Sequence, residues 1–252
     1  MIRDEHCTFI KTSLVNIMKD AVASSALLGD GMEFYAVSGY LLQSLFLKMT
    51  GAQEQKMKCI CWELATNDLE YRHTRYYQKW SLSECSTLKD KTEVYKDLYS
   101  AILDIAGSYN PYPDDSSKTK LIEDVRTSIE AIFQNSNFHK VRYQDFVSFQ
   151  HIFHNMPPSN LELTGKKIFK EGASSPNADT DIFCIYNLLY RQRNREAHNL
   201  QSYQLNLPDL KALRNEKVQK YNNVFLFFGV LLMIDEIFIK MFNHYHEILV
   251  FQ

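Results

Sequence analysis

Apolar residues recur along most of this chain at three- and four-residue intervals, the period of a helix that buries one face. The pattern predicts a first helix from about Asp4 to Leu28, with Phe9, Leu14, Ile17 and Val22 pointing inward. Gly29-Asp30-Gly31 then breaks it. From Met32 to Met49 apolar residues cover most sides (Phe34, Val37, Leu41, Leu42, Leu45, Phe46), which marks a central helix. Thr50-Gly51 is the expected stop, and a third helix is expected from about Gln53 to Trp80.

Ser81 or Ser83 can cap a fourth helix, whose stripe is Val94, Leu98, Ile102 and Ile105. The stretch "GSYNPYPDDSSK" at 107–118 reads as a linker. Leu121, Val125, Ile129 and Ile132 define a further amphipathic helix, and a shorter one covers about Tyr143 to His154. Residues 155–180 are rich in Gly, Pro, Ser and Asn, a long irregular segment of the kind that serves function in compact domains. It leads into a helix that Thr180 or Asp181 can cap, with Ile182, Ile185, Leu188 and Leu189 inward. Pro208 suits the first turn of a last helix, which runs to about Leu249 and bends near Asn222, Asn223 and Gly229.

Short hairpin turns are nearly absent, and the chain has only 8 Gly and 6 Pro in 252 residues. The expectation is therefore an all-α fold: one helical domain over 1–252, with 81–178 as an insertion packed on one side. Apolar residues make up 45% and charged residues 23%, which excludes a disordered chain. The longest apolar run, Val224–Ile234, is ended by Asp235 and Glu236 and is too short to span a bilayer, so no membrane role is expected. Five cysteines without repeated spacing, and no signal peptide, point to reduced thiols in the cytoplasm.

Cys59-x-Cys61 lacks the second pair that a zinc site needs. His151-x-x-His154 has no carboxylate within a helical turn, and His244-x-His246 reads as core or surface histidine. Neither a Gly-rich phosphate loop nor a nucleophile-elbow serine occurs, so neither metal nor cofactor is expected.

Charge is uneven. Net charge is −2, yet residues 191–220 carry seven Lys and Arg against three acidic residues. A local cationic zone on an acidic body suits a specific phosphate site better than a general nucleic-acid coat. "EYRHTRYYQKW" at 70–80 interleaves aromatics and cations and can contact RNA. Its helical spacing (Leu69, Arg72 or His73, Tyr76) favours packing with snorkelling cations instead.

The chemistry concentrates in "RQRNREAHNL", 191–200. Asn194 and His198 are four residues apart on one helix face, and Arg193 lies about 100° round from Asn194. Arg supplies a fixed charge and a fork that matches phosphate oxygens, and His exchanges a proton near neutral pH. Asn can orient either. Cleavage of RNA by its own 2′-hydroxyl needs both a base and an acid, and one chain offers one such histidine. A two-fold homodimer offers two. Arg191 and Arg195 flank the motif as expected RNA contacts.

"RNREAH" resembles the signature of the HEPN superfamily: an arginine, a polar residue after it, and a histidine four to six residues beyond the arginine. Here these are Arg193, Asn194 and His198. The resemblance implies an all-α bundle with the motif on a late helix. It also implies a metal-independent endoribonuclease of toxin–antitoxin or anti-phage defence, active as a homodimer with a composite site. Arg193 and His198 would be catalytic and Asn194 supporting. The alternative is a non-catalytic helical module that binds a partner protein, such as a nucleotidyltransferase antitoxin, or a nucleotide. A dimer interface would draw on the apolar residues of 181–190 and 224–242, and the three arginines of each chain would crowd one cleft.

Overall fold

The computed structural model describes residues 2–29, 31–78, 85–170, 181–198 and 221–250. Among them the chain is all-α: there is no strand, only an isolated antiparallel bridge between Leu161 and Phe169. The helices are α1 (Ile2–Lys11), α2 (Val15–Ala26), α3 (Met32–Asn67), α4 (Leu69–Arg72), α5 (Leu88–Ala106), α6 (Asp115–Phe133), α7 (Asn137–Val141), α8 (Tyr143–His154), α9 (Ile182–His198) and α10 (Val224–Val250).

α10 is the axis. Fifteen of its residues between Phe225 and Phe242 are buried on every side, and α1, α3, α5, α6, α8 and α9 all pack on it. At Gly229 an added Cβ would lie 2.3 Å from Phe153 Cζ, so α8 approaches the α10 backbone through the space a side chain would fill. Asn223 starts α10 by accepting from Phe225 N–H at 2.9 Å, and its amide donates to the Asp145 carbonyl. The expected bend near Asn222 and Asn223 is thus the start of the helix. Pro208 lies outside the described residues.

Helix boundaries in the first eighty residues differ from the sequence reading in three places. The single N-terminal helix is two, because the chain turns at Thr12–Leu14 to meet buried polar groups. Lys56 of α3 donates to the Thr12 carbonyl, Leu14 N–H donates to Asp235 Oδ2 at 2.9 Å, and Ser13 Oγ donates to Glu236 Oε1 at 2.9 Å. This change of phase leaves Phe9 exposed and buries Ile10 instead. Conversely, the helix expected over Met32–Met49 and the one expected from Gln53 are a single helix of 36 residues that runs through Thr50-Gly51 but ends at Asn67, short of Trp80. Asp68 then caps α4, and a π-helical segment, His73–Gln78, follows. A mid-helix glycine costs about 1 kcal/mol relative to alanine, which burial on both sides of it outweighs. Thr50, Gln53, Met57 and Ile60 are all buried, and Gln53 Nε2 donates to the Leu231 carbonyl at 2.8 Å. The more central part of α3 is this second half, since Tyr35, Val37 and Tyr40 near its start are exposed.

Residues 85–170 form much of the core rather than an appendage on one side. Thr87 caps α5 in a capping box with Asp90, while Ser81 and Ser83 lie outside the described residues. Gly107 ends α5 at φ 71°, and Asp114 caps α6 with Ser117. The connection between them is packed: Tyr109 stacks on His244 at 4.7 Å, and Tyr112 is buried. Val94, Leu98 and Ile102 of α5, and Leu121, Val125 and Ile129 of α6, are buried as their spacing predicts. After α8 the chain keeps Leu161, Leu163, Ile168 and Phe169 buried. No helix among the described residues is long and apolar enough to cross a membrane.

Candidate functional site

α9 carries the site, and its first turns show why it sits where it does. Asp181 Oδ1 accepts from Cys184 N–H at 3.0 Å, capping the helix. Ile182, Ile185, Tyr186, Leu188 and Leu189 are buried and seat α9 against α3 and α10. Two turns later the same inward flank presents Arg193.

Arg193 crosses to α3, where its Nη2 lies 3.0 Å from Glu54 Oε2; the two side chains are 23% and 10% exposed. Its Nη1 donates to Asn194 Oδ1 at 3.1 Å. These contacts fix the plane of the guanidinium and engage two of its five N–H donors. A guanidinium held in plane in this way keeps further N–H donors, whose fork geometry is of the kind that matches carboxylate or phosphate oxygens.

Behind this pair lies a second cation. Lys91 of α5 is buried, and its Nζ donates to the Cys85 carbonyl at 2.8 Å. That contact anchors Cys85 at φ 53°, an unfavourable backbone for a residue with a side chain. Burial pushes the Lys91 amine down to about 8; Glu54 partly offsets this and Arg193 adds to it. Tyr186 closes the floor, donating to the Ser86 carbonyl at 3.0 Å, and burial raises its phenol far above the usual range.

His198 is the last residue of α9, one turn beyond Asn194, and its side chain lies outside the described residues. By helical register Asn187, Asn194 and His198 fall within about 20° of one line along α9. The motif thus gathers Arg193 and Asn194 by direct contact and His198 by register.

The three arginines do not share a cleft within the chain. Arg191 is exposed, Arg193 turns to α3, and Arg195 turns to the opposite flank. There Arg195 Nη2 donates to Gln192 Oε1 at 2.6 Å, and Gln192 Nε2 donates to Glu196 Oε1 at 2.6 Å. Burial raises the Glu196 carboxyl above its ordinary value. Arg193 lies about 200° round the helix from both Arg191 and Arg195, which are themselves only about 40° apart, so a cleft shared by all three would need side chains to wrap around the helix. The apolar residues assigned to a dimer interface are also used inside the chain: most of 182–189 and nearly all of 225–238 are buried in its own core.

Other candidate residues are engaged elsewhere. In the aromatic–cationic stretch, Arg72 Nε donates to the Ala65 carbonyl at 2.9 Å, and Arg75 Nη2 meets Asp97 Oδ2 at 3.0 Å. Tyr71 Oη donates to Asp97 Oδ2 at 3.0 Å, so this surface is tied down to α5. Burial pushes the Cys61 thiol up to about 12, which makes it an inert core residue. No group of three or more His, Cys, Asp or Glu side chains among the described residues is placed to hold a metal ion.

Glu54 and Lys91 escaped the sequence reading. Each looks like an ordinary surface charge on an amphipathic helix, and only the packing of α3, α5 and α9 brings them to Arg193. Fold and site together define an all-α protein with an arginine–asparagine pair braced at the C-terminal turns of a core helix. The chain matches no known family model, no characterised protein and no solved structure.

Proposed function

We propose that the chain is a metal-independent, HEPN-type endoribonuclease, acting as an effector of cellular or anti-phage defence. The observation that carries this reading is the Arg193 guanidinium, held between Glu54 Oε2 at 3.0 Å and Asn194 Oδ1 at 3.1 Å, one turn before His198. In the reaction His198 accepts the proton of a ribose 2′-hydroxyl. The 2′-oxygen then bonds to phosphorus and the bond to the 5′-oxygen breaks. Arg193 neutralises charge on the non-bridging oxygens, where a fixed donor is worth most. The leaving 5′-oxygen takes its proton from His198 of a second copy, leaving a 2′,3′-cyclic phosphate and a 5′-hydroxyl.

A two-fold homodimer of this kind brings together the outer faces of two α9 helices, because the inner faces are occupied. Asn187 and Arg191 are exposed on that outer face. Purified protein incubated with total RNA in EDTA tests the reading. Cleavage with cyclic-phosphate ends, lost in His198→Ala and in Arg193→Ala, is the expected result. RNA left intact at high protein concentration favours the non-catalytic module.

A further inference from the structure

A cavity of about 560 Å³ lies beside the motif, between the start of α5, residues 166–169 and the exposed flank of α9. Its rim carries Lys89, Lys96, Lys166 and Lys167 against one acidic residue, Glu93, which pairs with Lys96 at 2.7 Å. Four lysines from two separate segments around one opening stand out on a chain of net charge −2. Its α9 wall is aromatic: Phe183 and Tyr190 are half-buried along it, with the exposed Asn187 between them.

We propose that this cleft binds a short run of single-stranded RNA, its phosphates on the lysines and its bases on the Phe183 and Tyr190 rings. Lysine rims and aromatic platforms are the two components of such binding, which reads the backbone by charge and any base by its π-face. The volume falls within the range of pockets that enclose a small ligand, about 300–1,000 Å³. Register supplies the link to chemistry. Phe183, Asn187, Tyr190, Asn194 and His198 all fall within about 60° of one line on α9, and Tyr190 precedes Asn194 by about 6 Å of rise. A strand seated in the cleft therefore continues along the same face toward Asn194, whose Oδ1 accepts from Arg193 on the adjoining flank. The inference deepens the ribonuclease reading by locating the strand that leads to the scissile phosphate.

The test uses the full-length His198→Ala protein, a fluorescein-labelled ten-nucleotide oligouridylate and anisotropy titrations at several salt concentrations. Lys89→Glu with Lys166→Glu should weaken binding about tenfold or more, and lower the salt slope by about 0.7 for each phosphate no longer neutralised. Tyr190→Ala should weaken binding about fivefold or more with the slope unchanged. Lys19→Glu, on the exposed face of α2, is the control and should leave the affinity alone. Melting temperatures matching the parent's establish that the variants are folded. Absence of binding by the parent, or affinities of the cleft variants within twofold of the parent's, overturns the proposal. So does an equal weakening in Lys19→Glu. AMP as competitor separates the sources: an affinity for AMP equal to that for the decamer assigns the cleft to a free nucleotide and overturns the RNA strand. A wild-type protein that binds through the cleft but never cleaves sinks the ribonuclease reading and leaves this one standing. Wild-type cleavage that the cleft variants reproduce at unchanged KM does the reverse.

Discussion

Glu54 of α3 and Arg193 of α9, 139 positions apart in the chain, meet at 3.0 Å in the groove between the two helices. The contact orients the guanidinium, and if Arg193 serves as proposed above, Glu54 is its positioning residue. Glu54→Gln keeps a hydrogen-bond acceptor but loses the charge. It should lower kcat about tenfold with little change in KM, while Glu54→Asp recovers part of the rate. Arg193→Lys should be nearly as inactive as Arg193→Ala, because an ammonium cannot span Glu54 and Asn194 together. A full rate for Glu54→Gln would remove it from the site.

The same pair should register as coupling in stability. Urea unfolding of Glu54→Ala, Arg193→Ala and the double variant should give a coupling energy of about 1.5–2 kcal/mol, at the lower end for charge-assisted hydrogen bonds because the pair is partly exposed. Each single variant should lose more than half of what the double variant loses, since each strands a partly buried charge.

Lys91 gives the fold a pH dependence with a definite sign. Its folded value is depressed to about 8 from 10.5, so between these values the unfolded chain binds more protons than the folded one. Stability therefore rises with pH across that window, and the cost of burying the charge is fully present below pH 8. Relative to Lys91→Met, the wild type should gain stability from pH 8 to 9.5, by a few tenths of a kcal/mol or more. Buried phenols such as Tyr95 and Tyr186 act in the opposite direction above about pH 10, which sets the upper limit of the comparison. Parallel pH profiles for the two proteins would rule out the burial of a charged Lys91.

The Lys56–Asp235 pair, at 2.6 Å with side chains 2% and 0% exposed, joins α3 to α10 beneath the α1–α2 turn. Burial raises the Asp235 carboxyl to about 6 even against the attraction of Lys56. Lys56→Met should destabilise by about 3–5 kcal/mol, because it leaves the carboxylate uncompensated and the Thr12 carbonyl without its donor. Lys56→Met with Asp235→Leu should recover much of that loss. Chemical denaturation of the three variants distinguishes this from a simple packing defect, in which the second substitution would add to the first.

Gly229→Ala should destabilise by about 1–3 kcal/mol, since the new methyl collides with the Phe153 ring. Phe153→Leu in the same chain should restore part of the loss, and thermal melts of the single and double variants report it. Additive losses would place the strain elsewhere.

Periodicity alone determined the helical class, the stripes of α5 and α6, the span of α8 and the inward face of α9, because one buried face per helix imprints a 3.6-residue repeat on the sequence. The same local signal placed Asn194 and His198 on one face and Arg193 beside them. Tertiary structure decided what no local pattern encodes. Gly51 reads as a stop, yet α3 continues because α10 buries it on both sides of the glycine. Thr12–Leu14 reads as helix, yet the chain breaks there because Lys56 and Asp235 supply better partners for its backbone. Glu54 and Lys91 carry no local mark that singles them out, and both are buried where α3, α5 and α9 meet. Arg191, Arg193 and Arg195 read as one cluster, and the helix turns Arg193 to α3, away from the face that Arg191 and Arg195 share. Local spacing records which residues face inward; which inward group meets which is set by the packing of distant helices.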